Sequence, residues 1–286
     1  MRTVKAVYSA FRDDIGDLIT RRPLPGQEID YLDPFLFLNH HGPQTYEPDN
    51  DGLPFGPHPH RGFETVTFIL EGSLAHQDTG GHECVIDAGG VQWMTAGSGL
   101  VHSEVSPAKF KETGGALEIL QLWINLPARL KMTQPNYSGM QKSQIPAITL
   151  DNGKGSLELI AGEYAGKKGP HDSLTGVFMS VVRLTEGAKV NLRAAAARTV
   201  FLYVVKGTIS ICDYKINKWH LAEMSNEDDQ INITAQEDAV LLFGHAEPLN
   251  EPVVSRGPFV MNTLHEIEQA FADYRSGAFN KNATLI

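Results

Sequence analysis

The chain has 286 residues, of which 42% are hydrophobic and 20% charged, a balance that excludes a disordered or fibrous protein and predicts a water-soluble globular one. Its 34 acidic residues outnumber its 24 basic residues, and the formal net charge of −10 disfavours direct binding to nucleic acids or anionic membranes. The two cysteines lie far apart and the N-terminal residues lack the apolar run of a signal peptide, so we expect a cytoplasmic protein without a membrane segment.

Short runs of strand-forming residues, separated by glycine and proline, recur along the whole chain. They include ETVTFILEG, HECVIDAGGVQWM, LEILQLWINL, GVFMSVVRL and TVFLYVVKGTISI. Runs of this length between turn residues are typical of β-sandwiches and β-barrels, and convincing helical patterns are few. We therefore expect an all-β fold with few short helices.

The segment GPHPHRGFETV brings two histidines onto one predicted strand. His58 and His60 are two residues apart, so their side chains share one face of the strand, and Pro59 suits a sheet edge because it has no amide hydrogen. Strict alternation would place Glu64 on that face too, whereas a bulge at Gly62 would turn it away. Such a histidine pair is common in loops, so a metal site requires a second element.

The segment GGVQWMTAGSGLVHSEV supplies that element. His102 and Glu104 are again two residues apart, and the turn from Gly97 to Gly99 can redirect the strand before them. Three imidazoles and a carboxylate suit a divalent first-row metal with open coordination positions. The sequence predicts a metal site on two strands, with Glu64 either as a lining residue that acts as an acid, a base or a competing ligand, or as a residue with a structural role alone.

A polar segment containing proline and glycine, residues 131–148, divides the chain nearly in half. Placing Gly72 on Gly207 aligns ETVTFILEGSLAHQD with TVFLYVVKGTISICD at an offset of 135 residues, which indicates an internal duplication. We expect an N-terminal metal-binding barrel at residues 1–130, a linker, and a C-terminal barrel at residues 149–286.

The two predicted barrels differ at the metal-binding positions. At the same offset, Arg193 and Ala195 take the places of His58 and His60, and neither residue can form that site. We therefore expect the C-terminal barrel to be metal-free, with a structural role or a role in binding a partner.

The clearest predicted helix lies near the end of the chain, in NTLHEIEQAFADYRSG. Thr263 followed by Glu266 matches a capping box, and apolar residues then follow at helical spacing. Its apolar stripe requires a packing surface, most simply the neighbouring domain.

The segments that carry these histidines resemble those of a known family. The pattern G-x5-H-x-H-x3-E from Gly52 is similar to the first cupin motif, and G-x2-H from Gly99 to the end of the second. HPHRGFETV, QWMTAGSGLVHSE, DPFLFLNHHGP and GPFVMNT resemble the pirin family of bicupins, which implies two cupin barrels of jelly-roll type. The resemblance also implies one iron in the N-terminal barrel, with the ligands His58, His60, His102 and Glu104. In most cupins Glu64 would be the carboxylate ligand.

The resemblance further implies quercetin 2,3-dioxygenase activity, in which a flavonol loses its 3-hydroxyl proton, reacts with dioxygen and opens with loss of carbon monoxide. Fe(II) is the implied metal, and Mn, Ni, Co, Cu and Zn also suit the ligands. Glu104 would bind the metal and share the substrate proton, and Glu64 is a second catalytic candidate. Phe68 and Trp93 would line the pocket of an aromatic substrate if they face inward.

Two other functions are compatible with the same residues. Family members are also described as iron-dependent, redox-responsive regulators that contact transcription proteins, and a metal-dependent isomerase or hydrolase fits the fold because fold does not fix function. We expect a small aromatic substrate and dioxygen as partners, no direct nucleic-acid or membrane contact, and a monomeric chain, with a regulatory protein partner under the alternative.

Overall fold

The structure is a computed structural model that describes residues 1–280 and consists mainly of β-strands. Among these residues, no helix is long and apolar enough to cross a membrane. The strands of the first half are β1 (Val4–Ser9), β2 (Phe11–Arg12), β3 (Thr20–Leu24), β4 (Phe35–Tyr46), β5 (Phe55–His60), β6 (Phe63–Glu71), β7 (Ser73–Asp78), β8 (Glu83–Asp87), β9 (Val91–Thr95), β10 (Leu100–Val105), β11 (Gly115–Asn125), β12 (Asn136–Met140) and β13 (Ala147–Leu150).

Further β-strands follow after residue 150, and a helix lies near the end of the described residues. Its strands are β14 (Gly155–Ala161), β15 (Glu163–Tyr164), β16 (Lys167–Lys168), β17 (Phe178–Leu184), β18 (Lys189–Arg193), β19 (Thr199–Lys206), β20 (Thr208–Ile211), β21 (Tyr214–Asn217), β22 (His220–Met224), β23 (Gln230–Ala235), β24 (Ala239–Ala246), β25 (Val254–Arg256) and β26 (Phe259–Met261). The α-helices are α1 (Ala108–Thr113) and α2 (Leu264–Arg275).

The chain folds as two units, and each unit takes segments from both halves of the sequence. The unit built mainly from residues 35–142, here called the N-unit, also contains residues 12–21 and 249–280. The unit built mainly from residues 143–248, here called the C-unit, also contains residues 1–11 and 22–34. The all-β fold with two repeated units is therefore confirmed.

The predicted boundaries of 1–130, 131–148 and 149–286 require correction. Strand β1 pairs with β22 of the C-unit, and α2 packs within the N-unit, so both ends of the chain lie in the opposite unit from the one expected. The predicted linker also contains β12 and the start of β13. Local sequence patterns indicate that a strand forms, but its partner is fixed by long-range packing.

The internal duplication is visible in the sheets. One seven-stranded sheet has the order β12-β9-β6-β11-β4-β3-β2, and a four-stranded sheet has the order β5-β10-β7-β8. A second pair repeats these sizes, with the orders β1-β22-β19-β24-β17-β14-β13 and β18-β23-β20-β21. Gly72 joins β6 to β7 with φ 86°, and Gly207 joins β19 to β20 with φ 78°, as the predicted alignment requires.

Helix α2 begins with the predicted capping box. The Thr263 hydroxyl accepts a hydrogen bond from the Glu266 amide at 3.2 Å, and the Glu266 carboxylate accepts one from the Thr263 amide at 2.8 Å. Ile267 and Ala270 are buried on its inner face, in a cluster with Phe259 of β26. The helix thus fixes the C-terminal segment within the N-unit.

Candidate metal centre

Two neighbouring strands of the four-stranded sheet bring three histidines together. Strand β5 lies at the sheet edge, where Pro59 was predicted, and pairs with β10 so that His58 lies opposite His102. Nitrogen atoms of His58, His60 and His102 all lie within 4.8 Å of one another. The ring centroid of His58 is 4.8 Å from that of His60 and 4.4 Å from that of His102.

Backbone carbonyls orient two of these imidazoles. Nδ1 of His58 lies 2.7 Å from the carbonyl oxygen of Gly56, and Nδ1 of His60 lies 3.4 Å from that of Pro258. A carbonyl oxygen only accepts hydrogen bonds, so each Nδ1 is the donor, and Nε2 is the nitrogen left to bind a metal. Both side chains therefore present Nε2 as a ligand atom.

His102 shows that the site fits a metal ion. Its side chain is fully buried, and neither ring nitrogen has a hydrogen-bond partner within residues 1–280. A buried polar group without a partner costs free energy, which a bound cation would recover. Burial lowers the pKa of His102 well below its usual value, and burial, followed by the charge of His58, lowers the pKa of His60 to about 3. Both rings are thus neutral, as metal binding requires.

Glu104 lies beside the histidine cluster. Its Oε2 is 4.0 Å from Nε2 of His102, and its side chain is 1% exposed. The carboxylate accepts hydrogen bonds from the Thr67 hydroxyl at 2.9 Å, from the Gln121 amide at 2.6 Å and from the Gln92 amide. These donors keep a buried carboxylate in place next to the cluster, and its role as the fourth ligand stays a prediction.

Glu64 lies on the other face of β6. The ring of Phe63 is 5.0 Å from that of His60, and Thr67 bonds to Glu104, so alternation along β6 turns Glu64 away from the histidines. Its carboxylate instead accepts a hydrogen bond from the Thr95 hydroxyl at 2.7 Å. Of the two alternatives that the sequence left open, Glu64 on the histidine face or turned away at Gly62, the structure has the second.

The cause of this reversal is Gly62, which interrupts the alternation between β5 and β6. Its φ is 89°, and a Cβ at this position would lie 2.0 Å from the carbonyl oxygen of Val260. Only glycine fits there, and the chain changes direction at that residue. On the far face, burial raises the pKa of Glu64 to about 7.

The aromatic residues near the cluster also differ from those expected. Phe68 and Trp93 are fully buried, and they occupy the same face as Glu64. Trp123 instead has its ring 5.3 Å from that of His60, and Phe37 stacks on Trp123 at 4.7 Å. Both side chains are half-buried, so they lie where a planar ligand could reach them.

The sequence of strand β11 contained an indication that Trp123 lies on a face of its own. In LEILQLWINL, Gln121 and Trp123 alternate with the buried residues Leu120 and Leu122. This alternation indicates that one face of the strand is apolar and the other carries polar atoms. The sequence alone did not show that this face lies next to the histidines, because β11 reaches them through its pairing with β6.

The C-terminal segment holds the end of β5 in place. Arg61 donates hydrogen bonds to the carboxylate of Asp273 in α2 at 2.8 Å and to the carbonyl of Ser98 at 2.7 Å. The buried ammonium of Lys131 bridges the carbonyl oxygens of Gly62 and Val260 at 2.9 and 3.1 Å. Segments from three parts of the chain therefore support the residues next to His60.

Comparison with known proteins agrees with this architecture. The pirin family model matches residues 17–124, and the model of the pirin C-terminal cupin domain matches residues 179–280. A pirin-like protein of Solanum lycopersicum is 36% identical over 278 residues, covering 96% of this chain and 91% of the relative.

Solved structures extend the comparison. Quercetin 2,3-dioxygenase from Acinetobacter baumannii is 35% identical with a TM-score of 0.93, covering 99% of this chain and 100% of its own. A bacterial pirin from Escherichia coli, solved in complex with nickel(II), is 23% identical with a TM-score of 0.64, covering 85% of this chain and 99% of its own, and shows a likeness of fold. Since both family models match and the relatives align over nearly the whole sequence, this chain belongs to the pirin family of bicupins.

Proposed function

We propose that this protein is a metal-dependent dioxygenase that cleaves flavonol-type substrates, with quercetin 2,3-dioxygenase activity. The observation that carries the proposal is the cluster of His58, His60 and His102, whose ligand atoms lie within 4.8 Å of one another beside Glu104. The likeness to the Acinetobacter baumannii enzyme, at 35% identity over the whole chain, supports the same reaction.

Fe(II) would be held by Nε2 of the three histidines and by Oε2 of Glu104. When bound, the ion supplies Lewis-acid and redox chemistry toward a deprotonated hydroxyl and dioxygen. Other first-row divalent metals suit the same donors, and nickel(II) belongs in the test because a pirin from Escherichia coli was solved with it. A divalent ion bound by three imidazoles, which ligate metals in their neutral form, and by one carboxylate would keep a net positive charge, which favours an anionic substrate.

The residues of this chain would also position the substrate. Trp123 and Phe37 offer half-buried aromatic faces close to His60, and aromatic rings stack favourably on such faces. A role of Glu104 in sharing the proton of the substrate hydroxyl stays a prediction. Glu64 has no supporting contact with the cluster among the described residues, because its carboxylate bonds to Thr95 on the opposite face of β6.

The alternative, a redox-responsive regulator that contacts transcription proteins, rests on the family resemblance alone. A cytoplasmic location, a monomeric state and a regulatory partner likewise stay predictions.

The test is oxygen uptake with quercetin by protein reconstituted anaerobically with Fe(II), with nickel(II) in parallel and metal content measured on the same samples. His60→Ala is the control, since it removes one ligand. We expect uptake to follow bound metal and to vanish in the control. Stoichiometric metal without oxygen consumption would contradict the dioxygenase proposal and favour a binding role.

A further inference from the structure

We infer that Gln92 and Gln121 are positioning residues that orient the carboxylate of Glu104 toward the histidine cluster, and that Trp123 fixes the direction of the Gln121 amide. The inference rests on the metal site of the proposed function and assigns a role to residues around it. It does not depend on which substrate the protein turns over.

The hydrogen bonds to Glu104 are unevenly shared between its two oxygens. Oε1 accepts from the Thr67 hydroxyl at 2.9 Å and from the Gln92 amide, whereas Oε2 accepts from the Gln121 amide at 2.6 Å. Oε2 is also the oxygen that lies 4.0 Å from Nε2 of His102. The acceptor capacity left on the carboxylate is therefore greater on the oxygen that lies next to the cluster.

The direction of the Gln121 amide follows from its contact with Trp123. Nε1 of Trp123 donates to Oε1 of Gln121 at 3.3 Å, and an indole nitrogen can only donate. The amide oxygen of Gln121 must face Trp123, so its NH2 group faces Glu104. Gln92 has the same direction because a carboxylate only accepts, so its NH2 group faces Glu104 and its Oε1 accepts a hydrogen bond from the Tyr137 hydroxyl at 3.2 Å. Each glutamine thus links an aromatic donor to the carboxylate.

The C-unit shows that the fold does not require these polar residues. In the N-unit, Thr67 pairs with Gln92 on one side and Gln121 on the other. The C-unit repeats this three-strand register with apolar side chains, namely Leu202 paired with Ala222 and Phe243. Polar side chains occupy these positions in the unit that carries the three histidines, as expected if they serve Glu104.

The first experiment measures Co(II) binding to the full chain by competition with a chromophoric chelator and by visible absorption. Gln121→Leu and Gln92→Leu should each weaken Co(II) affinity by about 10-fold to 100-fold, as removal of outer partners of a metal ligand does elsewhere. They should also change the Co(II) spectrum, because a misaimed carboxylate alters the coordination geometry. An affinity and spectrum equal to those of the unsubstituted protein would overturn the inference.

A matched pair of threonines provides the control. Thr67 and Thr95 are both buried, and each donates its hydroxyl to a buried glutamate, but Thr95 bonds to Glu64 on the opposite face of β6. Thr67→Val should shift the Co(II) spectrum, whereas Thr95→Val should leave it unchanged. Equal shifts in both variants would show a general packing effect and would contradict the positioning role.

A double-mutant cycle tests the part assigned to Trp123. Trp123→Phe keeps an aromatic ring and removes the N–H, so it should weaken Co(II) binding alone and have no further effect in a Gln121→Leu background. Full additivity would show that Trp123 acts through packing, and would overturn its assignment. Circular dichroism confirms folding, and if Gln121→Leu does not fold, Gln92→Leu and Thr67→Val decide the question.

The outcomes separate this inference from the proposed function. Tight Co(II) binding that depends on the glutamines, together with no turnover of quercetin by the iron-loaded protein, would sustain the inference and overturn the dioxygenase proposal. Failure of the unsubstituted protein to bind Co(II) would overturn both.

Discussion

The N-unit and the C-unit place sheets of the same size around interiors of opposite character. In the C-unit, strands of both sheets fill the interior with apolar side chains that include Leu202, Ile211, Ile233 and Phe243. In the N-unit, the interior contains a buried polar set: Thr67, His76, Gln92, His102 and Glu104. One backbone design thus accommodates either a hydrophobic core or a polar site.

The two interiors contribute differently to the stability of their units. Apolar burial stabilises the C-unit in proportion to the area removed from water. The polar interior of the N-unit gains less, because its buried groups must first recover the hydrogen bonds that they lose to water. The carboxylate of Glu104 recovers them within the protein, whereas the ring nitrogens of His102 do not within residues 1–280. The unpartnered ring of His102 therefore lowers the stability of the metal-free N-unit, and the same ring is available to bind a metal.

His102→Leu should have the largest effect, because it gives the N-unit an apolar side chain at the centre of the histidine cluster, as in the interior of the C-unit. We expect Fe(II) and Co(II) binding to be lost, while the thermal midpoint of the metal-free protein stays unchanged or rises, since an unpartnered buried imidazole is removed. Metal analysis after reconstitution and a thermal melt measure both effects. Retention of one equivalent of metal would contradict the assignment of His102.

Leu202→Ala tests the other interior. Leu202 is fully buried in the C-unit cluster, so truncation should lower the free energy of unfolding by about 2 to 5 kcal/mol. Urea denaturation of the metal-free protein measures this change. Thr67→Val at the matching position of the N-unit should lower the free energy of unfolding by much less. A similar loss in both variants would contradict the difference between the two interiors.

Glu104→Gln tests the buried carboxylate of the N-unit. The new amide would place an NH2 group against donors from Gln92 and Gln121, so both its hydrogen bonds and its affinity for a cation should weaken. We expect metal affinity to fall by about 10-fold to 100-fold and oxygen uptake to fall with it. Full activity at unchanged metal content would rule out Glu104 as a ligand.

Glu64→Gln should have the smallest effect on the metal centre. Burial raises the pKa of Glu64 to about 7 in the folded chain, so the folded state holds a proton that the unfolded chain releases near its ordinary, lower pKa. The stability that this proton contributes is present at acidic pH and is lost as pH rises through about 7. Glu64→Gln should flatten this loss between about pH 5 and about pH 8.

Denaturation curves at several pH values measure that change, and Co(II) affinity at one pH provides the control. Unchanged affinity is expected because Glu64 and the histidines lie on opposite faces of β6. A loss of affinity comparable to that of Glu104→Gln would restore Glu64 to the site.

Much of the histidine cluster could be predicted from the sequence, because two-residue spacing on a strand is a local property. The spacing of His58 and His60, and the pattern around His102, predicted the shared face that β5 and β10 show. The same rule failed for Glu64 because a single glycine, Gly62, lies between the two strands and reverses the alternation. Gly62 itself was the local signal for this alternative, but the steric constraint from Val260, 198 residues further along, which requires glycine there, could not be predicted from the local sequence.

The partners of Glu104 could not be predicted for a related reason. Gln92 and Gln121 belong to different strands, and their approach to one carboxylate depends on the register of β6 between β9 and β11. Carboxamides have no spacing rule comparable to that of paired histidines. The placement of residues 1–11 in the C-unit and of residues 249–280 in the N-unit could not be predicted either. A local pattern indicates that a strand forms, but it does not indicate which sheet the strand joins.

The order of segments along the chain has a consequence for biosynthesis. All three histidines precede residue 103, whereas Pro258, Val260 and Asp273, which support the end of β5, follow the whole C-unit. A ribosome therefore delivers every histidine of the cluster long before it delivers the residues that orient His60. A chain interrupted anywhere in between would carry the complete set of histidines without the contacts from Pro258, Val260 and Asp273.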